Sequence, residues 1–261
     1  MDRKATEMER NIICGRNPVL EALRSGREID RLLVAHGVGG GSVTAIIAKA
    51  SARGILIKEV SPQKLDFYCG GANHQGVAVI FASQEYSTTE EILNLAKNRG
   101  EKPFIIICDE IEDPHNLGAI IRTAEACGVH GIIIPKRRSA SLNATVAKSA
   151  SGALEYMKVA RVTNIANTIE SLKKEGIWIF GADMDGEDYA CVDFDLPCAL
   201  VIGNEGKGIG ALVAKKCDRI VSLPMHGKIN SLNASVAAGV LMYEVVRKRR
   251  EFNENIIGKK Q

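Results

Sequence analysis

No pair of cysteines stands in a C-x-x-C spacing, and none shares finger spacing with a histidine, which argues against a zinc site. The seven cysteines are an odd number, scattered and partly embedded in apolar runs, so they read as reduced, core-type thiols. Residues 1–10 lack the apolar stretch of a secretory signal, and no apolar run approaches the length of a membrane span. A cytoplasmic protein is therefore expected. His36, His74, His115, His130 and His226 show no ligand spacing, and Asp183, Asp185, Asp188, Asp193 and Asp195 lack the spacing of a calcium loop and read as exposed loop. Charge is nearly balanced: the net charge is only +3, which neither demands nor excludes a nucleic-acid partner. What the chain does have is an ordinary globular balance, 46% hydrophobic and 25% charged over 261 residues, enough for one large domain or two small ones.

Two α/β halves follow from the patterning. Residues 1–11 read as a disordered tail and 12–82 as a small domain of alternating elements. In it Asn17 is the expected cap of a helix with Pro18 at its first position and a stop at Gly26. A strand over Ile29–Ala35, a glycine-rich turn at Gly37–Gly41, a helix over Val43–Ala52, a strand over Ile55–Val60, a helical turn from Ser61-Pro62 and a buried strand Gly76–Phe81 complete it. Residues 83–102 are polar and contain a capping box, Thr88 to Glu91, so they read as linker and first helix of the next half. From Pro103 onward, apolar strands at Phe104–Cys108, Gly131–Ile134, Ile177–Ala182, Ala199–Ile202 and Arg219–Leu223 alternate with helices, which predicts a parallel sheet covered on both faces. The helices are expected at Leu117–Cys127, Ala144–Ala153, Ile165–Lys174, Ile209–Lys215 and Leu232–Arg250. The last opens apolar almost all round, the mark of a helix buried in a core or an interface. Its basic end, Arg247 to Arg250, reads most simply as a complement to the helix dipole.

Three segments are candidates to carry chemistry. The first, Asp113-Pro114-His115-Asn116-Leu117-Gly118, leads through Ala119-Ile120-Ile121 to Arg122. Asn116 is a candidate cap, and Arg122 lies about 600° further round a helix, so a loop rather than one helix face is expected to bring the two together. The second, Gly203-Asn204-Glu205-Gly206-Lys207-Gly208-Ile209-Gly210, follows a strand. No Ser or Thr follows Lys207, so this is not a nucleotide P-loop. Its Gly-x-Gly-x-Gly run imitates Rossmann-type methyltransferases, but too little chain follows it for the rest of a doubly wound sheet. The third segment runs from Leu223-Pro224-Met225-His226-Gly227 to Ser231-Leu232-Asn233-Ala234-Ser235, and Asn230, Ser231, Asn233 and Ser235 are more polar groups than one helix cap requires. Residues 141–147, SLNATVA, echo residues 231–237, SLNASVA; small residues opening a helix explain both, and only the second is assigned a function.

Together these segments resemble, in order, the three motifs of the SpoU/TrmH methyltransferases of the SPOUT class: Asn-x-Gly-x-x-x-Arg, Gly-Asn-Glu-Gly after a hydrophobic strand, and Leu-Pro-Met-x-Gly leading to Ser-Leu-Asn-x-Ser. Residues 12–81, opening on Gly15-Arg16-Asn17-Pro18-Val19, are similar to the ribosomal-protein-L30e-like domain that precedes the catalytic domain in the bacterial 23S rRNA guanosine 2'-O-methyltransferases. The resemblance implies an N-terminal L30e-like α/β domain and a C-terminal α/β SPOUT domain with a parallel sheet and a trefoil knot, spanning 103–261. It implies a homodimer joined through the catalytic domain, S-adenosylmethionine as cofactor, and RNA, most specifically 23S rRNA, as substrate. Gly203, Asn204, Glu205, Leu223, Met225 and Leu232 then fall at cofactor positions, and Asn116, Arg122, Glu205, Ser231 and Asn233 at polar active-site positions. A guanidinium stays protonated, so Arg122 is expected to clamp a phosphate and stabilise a developing alkoxide rather than to act as a base. Arg16, Arg24, Arg27, Arg31, Lys49, Arg53 and Lys58 are the candidate phosphate contacts of the first domain. The rival readings are a tRNA ribose methyltransferase, an antibiotic-resistance rRNA methyltransferase, a Rossmann-type small-molecule methyltransferase and a catalytically silent RNA- or ribosome-binding protein.

Overall fold

The computed structural model describes residues 11–258 apart from Gly26, Ser83, Gln84 and Asn230, with backbone alone for 251–258. Expectations that fall on residues 1–10, Gly26, Ser83, Gln84, Asn230 and 259–261 lie outside the described residues. The chain forms two compact units: one reaches to Glu85 and includes Ser141–Ala144, the other comprises Tyr86–Ala140 and Thr145 onward.

The first unit is a four-stranded sheet. Its elements are β1 (Ile12–Cys14), α1 (Arg16–Ala22), β2 (Ile29–Ala35), α2 (Gly41–Ala52), β3 (Leu56–Val60), α3 (Pro62–Tyr68) and β4 (Val77–Phe81). The strand order is β1-β4-β2-β3, with β4 antiparallel to both neighbours and β2 parallel to β3. Side chains alternate across a strand, so β2 serves two cores: Leu32 and Val34 face Val19, Ile46 and Val79, while Leu33 and Ala35 face Leu65, Val60 and Ala78. Two expectations fail here. Helix α1 is capped by Gly15 at φ 97° rather than by Asn17, because Gly15 N–H still bonds Val77 O and Arg16 N–H bonds the Gln75 side chain, so the chain enters the helix straight from the sheet. Pro18 then sits in the first turn, where its missing N–H costs nothing. Cys14 and Cys69 are not free thiols: they are joined as a disulfide, with Cα atoms 6.2 Å apart. They are 55 residues apart in the chain, a separation that carries no pairing signal in the sequence. The other five cysteines are free, and burial pushes the Cys108 thiol up to about 12 and that of Cys198 up to about 11.

The second unit contains α4 (Thr89–Arg99), β5 (Phe104–Cys108), α5 (Pro114–Ala126), β6 (Gly131–Pro135), α6 (Ala144–Ala150), β7 (Val159–Val162), α7 (Ile165–Lys174), β8 (Trp178–Asp188), β9 (Cys198–Ile202), α8 (Ala211–Ala214), β10 (Arg219–Ser222) and α9 (Ala234–Gly258). The capping box forms as expected, with Glu91 N–H donating to Thr88 Oγ1 at 3.2 Å and Thr88 N–H to Glu91 Oε2 at 3.2 Å. All six strands are parallel, in the order β10-β8-β9-β5-β6-β7. Every side chain of β5 and β9 is buried, as both faces of a covered parallel sheet require. Ile105, Ile107, Ile133, Ile179 and Val201 form one side of that core with Ile169 and Leu172 of α7.

Three differences from the sequence reading concern the strands and the last helix of this unit. Strand β7 was not expected; it is four residues long and carries Arg161, too short and too polar to show a period. Strand β8 continues through Asp183, Asp185 and Asp188, which are therefore strand residues rather than loop. The cause is β10, which pairs with Phe180–Gly181, shifts register and pairs again with Glu187–Asp188. Finally, α9 runs on past Arg250 to Gly258, so its basic stretch does not complement a helix end. Arg249 instead donates to the carbonyls of Lys102, Pro103 and Leu196, each at 3.0 Å, tying α9 to the edge where β5 begins. Arg247 pairs with Glu244. One face of α9 is buried through Ala238, Leu241, Met242 and Val245; the other leaves Val236, Val240 and Tyr243 exposed, beside Ala119 and Thr123 of α5. Among the described residues no helix is long and apolar enough to cross a membrane, and no His/Cys/Asp/Glu group is arranged to hold a metal ion.

Candidate active site

Strand β9 delivers the glycine-rich loop. Gly203 passes so close to the backbone of Gly208 and Ile209 that any side chain there would collide with it. The loop closes on itself through Asn204 N–H to Gly208 O (3.0 Å) and Gly208 N–H to Asn204 O (2.8 Å). The Asn204 side chain completes the turn: its Oδ1 accepts from Gly206 N–H at 2.9 Å and its Nδ2 donates to Glu110 O at 3.2 Å. Gly208 supplies the left-handed backbone the turn needs, at φ 66°. The residue after Asn204, Glu205, is exposed and supplies the carboxylate on which the other two segments meet.

Helix α5 brings Asn116. Asp113 caps this helix, accepting from His115 N–H at 2.9 Å, with Pro114 in the first turn. Asn116 is thus inside the helix rather than its cap, which corrects the sequence reading and frees its amide for other partners. It is buried, and its Nδ2 donates to Glu205 Oε1 at 2.8 Å.

Helix α9 brings Asn233. Its Oδ1 accepts from Ser235 N–H (3.0 Å), Ser235 Oγ (2.6 Å) and Val236 N–H (3.3 Å), the bonds of a helix cap. With the oxygen occupied by the helix, the amide nitrogen must point the other way, and there it donates to Asn116 Oδ1 at 3.0 Å and to Glu205 Oε1. Ala234 N–H adds a further bond to Glu205 Oε1 at 3.2 Å. Three segments far apart in the chain therefore meet on one carboxylate oxygen at the positive end of a long helix, a placement that favours negative charge. Among the described residues the second oxygen, Oε2, accepts no hydrogen bond, so it is available to a substrate group.

The structure does not bring every expected residue into this cluster. Ser231 is exposed and stands outside it. Arg122 lies on α5 with Asn116, on one continuous helix and not across a loop as expected; the helical period turns it away, and its Nη1 bonds Ser151 Oγ at 3.3 Å. Leu223, Met225 and Leu232 flank the third segment, the last two a little over a third exposed at 37% and 38%. Of the basic residues of the first unit, several serve that unit's own structure: Arg53 holds Leu23 O and Arg27 O, Arg16 holds Gln75 O and Ser42 Oγ, Arg24 pairs with Glu21, and Arg27 stacks on the Phe81 ring at 3.8 Å. Sequence reasoning missed Asp109, which is buried at the end of β5 and accepts from Gly210 N–H at 2.8 Å. Burial raises the proton affinity of this carboxyl, opposed by the Gly210 bond. A lone acid after an apolar strand was the available signal.

Comparison with known proteins agrees with this layout. Residues 103–243 match the SpoU rRNA methylase family, and residues 12–87 match the RNA 2'-O ribose methyltransferase substrate-binding domain. The chain is 49% identical over 247 residues to YacO of Bacillus subtilis (strain 168), named as a TrmH family tRNA/rRNA methyltransferase, covering 94% of this chain and 99% of that protein. Among solved structures it resembles the SpoU methyltransferase AviRb of Streptomyces viridochromogenes in complex with S-adenosylmethionine (TM-score 0.59, 25% identity, 96% of this chain and 100% of that one). It also resembles the S-adenosylmethionine-bound rRNA methyltransferase of Sinorhizobium meliloti (TM-score 0.59, 26% identity, 94% and 95%). The chain belongs to the SpoU/TrmH family of RNA methyltransferases, with an N-terminal substrate-binding domain and a C-terminal catalytic domain.

Proposed function

We propose that this protein transfers a methyl group to a ribose 2'-hydroxyl of RNA in the cytoplasm, with a guanosine of 23S rRNA as its target. The cofactor is S-adenosylmethionine, and the residues present suit it. Gly206 is exposed, with no atom nearer than 3.6 Å to where a side chain would begin, so bare backbone is offered there. Gly203, Asn204, Glu205, Leu223, Met225 and Leu232 are the residues proposed to hold it. When bound, it supplies a methyl group already activated on a sulfonium, so the protein's task is to place the acceptor hydroxyl and ease the loss of its proton.

The observation that carries the reading is the convergence of Asn116, Glu205 and Asn233 on one point. Such a fixed array orients a polar group without rearranging during the reaction. Glu205 Oε2 accepts a hydrogen bond from the ribose, while Asn116 and Asn233 keep the carboxylate still. Arg122, which does not reach these residues within the chain, clamps a phosphate and stabilises the developing alkoxide once RNA or a second chain brings the groups together. Ser231, at the mouth of the third segment, contributes its hydroxyl to the same polar surface. The exposed strip Val236, Val240 and Tyr243 is the proposed face of a homodimer, since a two-fold contact needs a self-complementary apolar surface. Residues 12–82 select the RNA, 83–102 form linker and first helix, and 103–261 carry the chemistry and the proposed trefoil knot.

Mass mapping of ribose methylation in rRNA and tRNA, from cells with and without the protein, tests the target. A missing 2'-O-methylguanosine in 23S rRNA is the expected result. A loss confined to tRNA replaces the target with the alternative that the name of the Bacillus relative allows, and unchanged methylation in both rejects the activity.

A further inference from the structure

The cofactor loop is gripped from outside at both ends by two consecutive residues. At one end Asp109 N–H donates to Ile202 O at 2.8 Å, and Glu110 O accepts from Asn204 Nδ2 at 3.2 Å. At the other end Asp109 Oδ2 accepts from Gly210 N–H at 2.8 Å. The approach is close: a side chain begun at Gly210 would lie 3.2 Å from that oxygen. Asp109 is only 6% exposed. A carboxylate is an expensive group to bury at the end of an apolar strand, where a valine or leucine would pack without that cost. Arg138 pairs with Glu110 beside it, and Cys108 and Cys217 are the other titratable groups around it.

We propose that Asp109 is a positioning residue for cofactor binding: by holding the Gly210 N–H it fixes the course of the loop from Gly203 to Gly210. The backbone presented at Gly203 to Gly206 then has one shape, and Glu205 has one direction in which to meet Asn116 and Asn233. Asp109 acts through the loop. The proposal rests on the reading of that loop as the cofactor's.

Calorimetric titration of S-adenosylhomocysteine into the full-length protein tests it. Asp109→Ala is expected to weaken binding by about tenfold, the scale of one lost hydrogen bond. Asp109→Asn keeps a carbonyl acceptor for Gly210 and is expected to stay within about threefold of the parent. Asp109→Leu removes the acceptor but refills the buried space at the end of the apolar strand, so this variant keeps the test alive should Asp109→Ala not fold. It too is expected to bind about tenfold more weakly, because it loses the same bond. Parent-like affinity in Asp109→Ala or Asp109→Leu, or an asparagine as poor as the alanine, would overturn the proposal. A parent protein that does not bind S-adenosylhomocysteine removes the cofactor reading itself and this inference with it.

Discussion

Two stretches beyond residue 103 are spelled almost alike and behave differently. Residues 141–147 and 231–237 both lead into a helix at an alanine, Ala144 of α6 and Ala234 of α9. Both helices pack on α5: α6 through Gly118, where a side chain would come within 2.9 Å of Val146 O, and α9 through Gly239 beside Thr123. The first stretch buries its serine and leucine, Ser141 at 4% exposed and Leu142 at 1%. The second leaves Ser231 and Leu232 exposed and turns Asn233 toward Glu205. Local sequence sets where a helix begins. What the asparagine before that start can do depends on what stands opposite, and only the second stretch faces a carboxylate delivered by a glycine loop.

The sharpest way to break this comparison is to remove what stands opposite. Glu205→Ala or Asn233→Ala should lower methyl transfer by about 10²–10³-fold, the usual loss for one fixed polar group at a reacting centre. Transfer of labelled methyl groups to RNA measures it, and activity near that of the parent would place the chemistry elsewhere. Gly118→Ala should leave the site's side chains in place but force α5 and α6 apart. The expected cost is about 1–3 kcal/mol, as for other overpacked contacts, read as a lower denaturation midpoint. Asn143→Ala separates the two asparagines. It should cost about 1 kcal/mol, the scale of one hydrogen bond, with transfer within about threefold of the parent; a loss as large as that of Asn233→Ala would make the two stretches functionally equivalent.

The smallest effect concerns acid. His130 is buried, its Nδ1 accepting from Phe104 N–H at 3.0 Å and its Nε2 meeting Glu101 at 2.9 Å, and burial holds its proton affinity below the usual histidine value. The unfolded chain therefore binds a proton more readily, so stability falls as pH drops through about 6.5 toward the lower folded value. Melting curves from pH 7.5 to 5.5 should show this decline, and His130→Gln should flatten it. Both stretches should lose stability together; a decline in transfer that precedes melting would tie acid to the site instead.

The comparison also explains which parts of the molecule the sequence disclosed. Strands such as Ile29–Ala35 and Phe104–Cys108 and the Thr88–Glu91 capping box are written in local pattern, and the structure has them at the expected residues. Val159–Val162 and the acidic end of β8 are strands because neighbours pair with them, and pairing at a distance leaves no local mark. The same holds for Cys14 with Cys69. At the site, surplus polar residues near Asn233 pointed to a ligand, but the meeting of Asn116, Glu205 and Asn233 followed only from the motif resemblance. Asn116 has the residue type of a cap, but Asp113, three residues earlier, takes that place.

The strand order has a consequence for synthesis. β9 lies between β8 and β5 at the middle of the sheet, yet it emerges from the ribosome after β5, β6, β7 and β8. Until residue 202 has been made, the growing chain holds an open rung with unpaired backbone on either side. The substrate-binding domain is free to fold early, as N-terminal domains do. The catalytic domain must wait for its centre, and a nascent chain stalled between β8 and β9 is where a chaperone has most to protect.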